Sequence, residues 1–308
     1  MSFTKFTRLL VYGYFLKLKA DKIVLIAPEG SRKIYDGLLI EGAGKLSFKA
    51  LWKMIDEGKT LVMKFGKDYT GLGGFQTPLL KQLKVYRSRR KLEIASKILQ
   101  ASLLNKAWLL DRLELFEEAD KLREFLDKFV SGEKVLDLMG VEAEATRIYY
   151  EAIRKVIPKP YVFKGRTRRP PKDHVSAALG LANTWLYNIC LEEILLRKLD
   201  PRIGVLHVAT RDRISLALDI AEEFKPVIVD TVVIGLFKIR GFNIETDFRY
   251  KGESVLLSKR GSAKLEKAFK HRLNIKKEGL TLREHIGRQV ERFLEAITKD
   301  KPYIPFKA

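Results

Sequence analysis

The sequence predicts an α+β protein, with a small β-rich N-terminal domain over residues 1–86 and a larger all-α domain over residues 87–308. Three observations predict it. Short aliphatic and aromatic runs separated by turn residues are confined to the N-terminal part. A basic segment, Tyr86-Arg87-Ser88-Arg89-Arg90-Lys91, then interrupts the pattern. Beyond it, apolar residues recur at helical spacing over 92–104, 106–130, 134–156, 174–199, 215–225, 262–272 and 282–297.

The N-terminal runs are Leu9–Leu18, Ile23–Ala27, Leu38–Ile40 and Thr60–Phe65, bounded by turns such as Pro28-Glu29-Gly30 and Asp36-Gly37. One helix interrupts them, with Ser47 as N-cap, Phe48, Leu51 and Ile55 as its apolar stripe, and Gly58 at its end. Gly44-Lys45 is not a phosphate loop: Leu46 stands at the hydroxyl position and Leu39 where the first glycine belongs. Gly71, Gly73 and Gly74 lack the strand–turn–helix context of a dinucleotide fingerprint. In the helical half, Asp173 is placed to cap the helix after it, and Thr281 with Glu284 makes a capping box. Tyr149, Tyr150, Trp185 and Tyr187 read as core.

Lys and Arg outnumber Asp and Glu by 59 to 38, a net charge of +21. That excess is the footprint of a polyanion binder, with nucleic acid as the leading partner and an anionic membrane surface second. The hydrophobic fraction of 46% is that of a globular chain with a sizeable core. The single cysteine, Cys190, excludes an intramolecular disulfide and a cysteine zinc cluster. It reads as a small core residue in a reducing, cytoplasmic setting. No stretch reaches the roughly 20 apolar residues of a membrane span. Residues 9–16 read as a strand rather than a signal peptide.

The most informative stretch is 204–230. It places His207 in a loop and opens a helix with Ser215 as N-cap, with Leu216, Ile220 and Phe224 as the buried stripe. Asp219 and Glu222, three apart, share one face of that helix, where like charges cost about 0.2–0.5 kcal/mol. A cation between them, with the imidazole nearby, would make a mixed N/O metal site. The bland alternative is a solvated acidic face neutralised by Arg211, Arg213 and Lys225. Further upstream, Glu142 sits in a helical run, with Arg147 on a neighbouring turn from Glu144. The segment Lys164-Gly165-Arg166-Thr167-Arg168-Arg169-Pro170-Pro171-Lys172-Asp173 is a basic loop whose prolines forbid helix. It suits phosphate contacts, or serves as a solvated linker.

Taken in order, these motifs resemble the CRISPR-associated integrase family, "Cas one". They are Gly140-Val141-Glu142 running to Arg147-Ile148-Tyr149-Tyr150, the Gly165-Arg166 to Lys172-Asp173 loop, Gly204-Val205-Leu206-His207, and Ser215 through Asp230. Leu39-Ile40-Glu41-Gly42-Ala43-Gly44-Lys45-Leu46-Ser47 and Gly58-Lys59-Thr60-Leu61-Val62 agree in the N-terminal half. Ala143 stands where many members carry a second glycine. The resemblance implies an N-terminal dimerisation domain, a helical catalytic and DNA-binding domain, and a homodimer. It implies a divalent metal, Mn²⁺ or Mg²⁺, held by Glu142, His207 and Glu222, with Asp219 counted among the catalytic residues. It implies strand transfer of captured double-stranded DNA into a CRISPR repeat by transesterification, with endonuclease activity, and a small ferredoxin-like partner, "Cas two". DNA contacts are expected from Arg166, Arg168 and Arg169 in the loop, from Arg211 and Arg213 beside His207, and from the basic 259–277 region. Two other readings compete: a non-catalytic nucleic-acid scaffold of the same fold, and an RNA-acting nuclease.

Overall fold

The computed structural model describes residues 6–9, 14–19, 22–28, 30–32, 34, 37–41, 44–57, 59–65, 68–72, 76–129, 132–168, 170–208 and 213–308. Arg169 and Arg211, the turn residues Glu29 and Asp36, and the loop glycines Gly73 and Gly74 lie outside these residues. The chain divides into two compact units, 1–82 with 194–200, and 83–193 with 201–308. Among the described residues no helix is long and apolar enough to cross a membrane.

The first unit holds two four-stranded sheets. Strands β1 (Phe6–Leu9), β2 (Tyr14–Lys19), β3 (Lys22–Ala27), β4 (Gly30–Arg32), β5 (Gly37–Glu41) and β6 (Gly44–Leu46) lead to helix α1 (Phe48–Asp56), followed by β7 (Thr60–Phe65) and β8 (Asp68–Leu72). One sheet runs β1-β5-β7-β8 and the other β4-β3-β2-β6. The expected single run from Leu9 to Leu18 is thus β1 and β2, in different sheets. Alternation builds the core: Tyr14 and Leu16 are buried while Phe15 between them is exposed. Leu25, Leu38, Ile40 and Leu61 join them, with Ala50 and Met54 from α1. Ser47 caps α1 as expected, accepting from Ala50 N at 3.4 Å. Phe48 does not lie in the buried stripe; it is 74% exposed. As the first helical residue it points off the face that Ala50 and Met54 turn inward.

Helix α2 (Gln76–Tyr86), which turn-rich surroundings hid, leads into the second unit. Helix α3 (Arg90–Arg112) is continuous through the expected break at 105. It stops where Glu114 takes a left-handed φ of 64°. Then follow α4 (Phe116–Arg123), α5 (Val135–Val156), α6 (His174–Leu196), α7 (Ser215–Glu222), α8 (Thr231–Lys238) and α9 (Ile244–Asp247). A hairpin of β9 (Phe248–Lys251) and β10 (Ser254–Leu257), α10 (Lys259–Leu273), the two-residue strands β11 (Lys276–Lys277) and β12 (Leu280–Thr281), and α11 (Leu282–Thr298) complete it. The C-terminal part is therefore dominantly helical but not all-α.

Helix α6 is apolar nearly all round and buried along Val175, Ala178, Leu179, Ala182 and Leu186. Cys190 is buried on it, as expected. Asp173 caps it by accepting from Ser176 N at 2.7 Å. Thr281 and Glu284 form the expected capping box of α11. Helix α7 ends at Glu222, earlier than the periodicity suggests. Pro226, which lacks an N–H, falls in a π-helical turn over Lys225–Asp230 that joins α7 to α8.

Candidate active site and nucleic-acid interface

The loop bearing His207 is built around a carboxylate. Asp219, fully buried on α7, accepts from the backbone N–H groups of Val205 at 2.6 Å, Leu206 at 3.0 Å and His207 at 3.0 Å. Its Oδ1 also meets His207 Nδ1 at 2.7 Å. An ionised carboxylate only accepts, so Nδ1 carries a proton, and in the neutral imidazole Nε2 is then the nitrogen with the lone pair. Gly204 is required for this approach: a Cβ there would lie 2.4 Å from Asp219 Oδ2. Ser215 is not the N-cap of α7. It is the first helical residue, preceded by Ile214, and its hydroxyl donates to Val208 O at 2.8 Å, fastening the far side of the loop.

Glu142 lies on α5 and faces Lys106 of α3. Lys106 Nζ is 3.0 Å from Glu142 Oε1 and 2.5 Å from Thr146 Oγ1, and Thr146 donates to the same carboxylate oxygen at 2.6 Å. Burial alone would raise the Glu142 carboxyl, but Lys106 and Thr146 outweigh it and hold the group down at about 2. Glu222 is ion-paired with Lys225 in the π-helical turn. Lys225 also lies over the Tyr187 ring, 5.3 Å from its centroid. Burial acts to lower the Lys225 ammonium, yet the Glu222 carboxylate and the phenol groups of Tyr187 and Tyr150 hold it above its usual range. Behind this layer Tyr149 donates to Asp230 at 2.8 Å, and burial lifts the Asp230 carboxyl to about 6.

Glu142 also borders a cavity of about 480 Å³ whose other walls include Arg147, Tyr150, Arg154, Arg166 and Arg168. The structure thus unites Glu142 with the loop arginines, whereas His207 and Glu222 do not line this cavity. Arg166 is structural as well as basic: its guanidinium donates to Thr167 O at 2.9 Å and Ser176 O at 2.7 Å. Arg168 and Arg213 are exposed and make no ion pair among the described residues. The loop is anchored from outside by the hairpin, where Val255 N donates to Pro171 O at 2.9 Å and Tyr250 meets His174 Nε2 at 2.8 Å. Arg147 pairs with Glu151, one turn on, rather than with Glu144. In the basic 259–277 region, Lys264 and Arg260 are paired with Asp247 and Lys270 with Glu266.

Sequence reasoning missed Lys106, Thr146 and Asp230. A lone lysine in a helical apolar run carried no pattern that could mark it. As a donor set, an oriented imidazole with two carboxylates suits a hard divalent cation. In their present arrangement the two glutamates are each engaged by a lysine, and among the described residues no three acidic, histidine or cysteine side chains converge closely enough to hold a metal.

The family model for CRISPR associated protein Cas1 matches residues 54–271. The chain is 32% identical over 227 residues to the CRISPR-associated endonuclease Cas1 of Nanoarchaeum equitans, covering 71% of this chain and 66% of that protein. It is 27% identical over 316 residues to a CRISPR-associated endonuclease Cas1 of Thermodesulfovibrio yellowstonii, covering 95% and 96% of the two. In fold it is similar to a casposase solved bound to its integration product, with a TM-score of 0.80 at 21% identity over 97% of each chain.

Proposed function

This chain belongs to the Cas1 family of CRISPR-associated proteins, and on that premise we propose that it is a metal-dependent DNA endonuclease and integrase. It would insert captured double-stranded DNA at a CRISPR repeat by transesterification. The observation that carries the proposal is the His207 ring, held through Nδ1 by buried Asp219 so that Nε2 is presented for a ligand or a proton.

Glu142, His207 and Glu222 would hold the metal, Mn²⁺ or Mg²⁺. Such a cation, when bound, polarises a phosphodiester and stabilises the leaving oxygen. The protein's own groups supply the rest. Asp219 orients the imidazole with Oδ1, and both of its oxygens are taken up by the loop, which makes it a positioning residue. Lys106 keeps Glu142 ionised, the form a metal requires. The exposed Arg168 and the unused face of Arg166 steer DNA phosphates toward Glu142. In the reaction a 3′-hydroxyl attacks a phosphodiester and a 3′-oxygen leaves. One such bond replaces another, so no nucleotide is consumed. The family resemblance further supports a homodimer formed through residues 1–86, with catalysis and DNA binding in residues 87–308, and a "Cas two" partner.

The test is strand transfer on a branched DNA that mimics the half-integrated intermediate, with Mn²⁺, Mg²⁺ or chelator, for the wild type and for His207→Ala. Metal-dependent joining, lost in the variant, is the expected result. Tight DNA binding with no joining or cleavage under any metal would favour a non-catalytic scaffold, and activity surviving in the variant would place the site elsewhere.

A further inference from the structure

We propose that Arg112 and Arg272, gathered on Trp108, form a second phosphate-backbone contact for duplex DNA, separate from the loop of Arg166 and Arg168. The inference rests on the reading of the chain as a DNA-acting protein and adds a place where the duplex is held.

Trp108 is partly exposed on α3. Arg112 lies one turn further along the same helix, its guanidinium carbon 5.4 Å from the indole centroid. Arg272 reaches the same ring from the C-terminal end of α10, at 5.9 Å. Its Nε donates to Val227 O at 2.8 Å, and this is the one hydrogen bond of its side chain among the described residues. Arg112 is exposed, and its side chain makes neither a hydrogen bond nor an ion pair among them. The adjacent Asp111 is committed to Arg123.

Two cations on one ring repel each other. The indole face attracts each of them but cannot neutralise either. Burial and the Arg112 charge both depress the Arg272 guanidinium, and no carboxylate opposes them. This differs from Arg260, Lys264 and Lys270 elsewhere on α10, which have acidic partners. The pair is thus positive charge assembled without an internal counter-ion. Guanidinium forks match phosphate oxygens, and a ring-stacked guanidinium has already lost much of the freedom that binding would cost. The occupant this charge fits, on a chain of net charge +21, is the phosphate backbone of a nucleic acid. Arg272 holds the carbonyl of Val227, two residues beyond Lys225, so the contact is built onto the π-helical turn that carries the partner of Glu222.

The experiment is duplex DNA binding by the full chain as a function of salt, for the wild type, Arg112→Ala, Arg112→Glu, Arg112→Lys and Arg168→Ala. Trp108 emission is followed by difference against Trp108→Phe. Arg112→Ala is expected to make the slope of log affinity against log salt shallower by about 0.9. It should also abolish the DNA-induced change in Trp108 emission. Arg112→Lys should restore the slope, and Arg112→Glu should lower affinity further. An unchanged slope together with an unchanged Trp108 signal in both the Ala and Glu variants overturns the proposal. If Arg168→Ala still flattens the slope in that case, DNA binding stands and this contact alone falls. If the wild type shows no salt-dependent DNA binding, both readings fall together.

Discussion

Asp219 grips His207 twice through Oδ1, at its backbone N–H and at its ring Nδ1, while Oδ2 takes the N–H groups of Val205 and Leu206. The loop that carries the imidazole is folded around the carboxylate that orients it. Placement and tautomer of His207 therefore depend on one buried side chain.

Asp219→Asn keeps the shape but replaces one acceptor oxygen with a donor, which would face the two N–H groups that this oxygen now takes. On the proposed metal-dependent reading, affinity for Mn²⁺, read by calorimetry, should fall by about 10- to 100-fold. Gly204→Ala tests the same arrangement from outside. Its methyl would meet Asp219 Oδ2 and the Ser215 backbone, so the melting transition should shift by a loss of about 1–3 kcal/mol.

Lys106→Met should raise the Glu142 carboxyl from about 2, because the burial that opposes ionisation would no longer be outweighed. The sign for stability follows. A depressed carboxyl stabilises the fold above its unfolded value of 4.5 and loses that contribution as pH falls toward 2. Denaturant melts between pH 5 and pH 2 should show a steeper acid decline in the wild type than in Lys106→Met, whose stability is lower throughout the neutral range.

Asp230 works in the opposite direction. Its carboxyl is raised to about 6, so its contribution is fully present below the unfolded value of 3.8 and is lost as pH rises through 6. At one pKa unit per 1.36 kcal/mol the loss is at most about 3 kcal/mol. Asp230→Asn should flatten the fall in stability between about pH 4 and pH 6, measured by urea unfolding.

The segment after α11 is tied to the back of α7. Glu223, next to Glu222, accepts from Phe306 N at 2.6 Å and from the Tyr303 hydroxyl. Asn105 donates to Glu223 O at 2.7 Å and accepts from Ala308 N at 2.8 Å. Asn105→Ala leaves these buried groups unpaired and should cost about 1–3 kcal/mol. Amide exchange at Ala308 should accelerate well beyond that of α3.

Much of this was legible without coordinates. Periodicity located α5, α6, α10 and α11, and residue chemistry located the caps at Asp173 and Thr281. It failed where local signals conflict with packing. Asn105 looked like a helix break, yet α3 runs through it because its side chain is used by Glu223 and the C-terminal segment. Ser215 looked like a cap, yet its hydroxyl is spent on the loop that brings His207 to Asp219.

Spacing alone brought Asp219 and Glu222 to one helix face near His207, and the family resemblance of the motifs, not local chemistry, added Glu142. They could not distribute the roles. The pairing of Lys106 with Glu142 spans 36 residues and exists because α3 packs against α5. The enclosure of Asp219 by three backbone N–H groups exists because the loop closes on α7. Burial and hydrogen-bond partnership are properties of the packed chain, and they decide which of two neighbouring acids orients the imidazole and which remains beside a lysine.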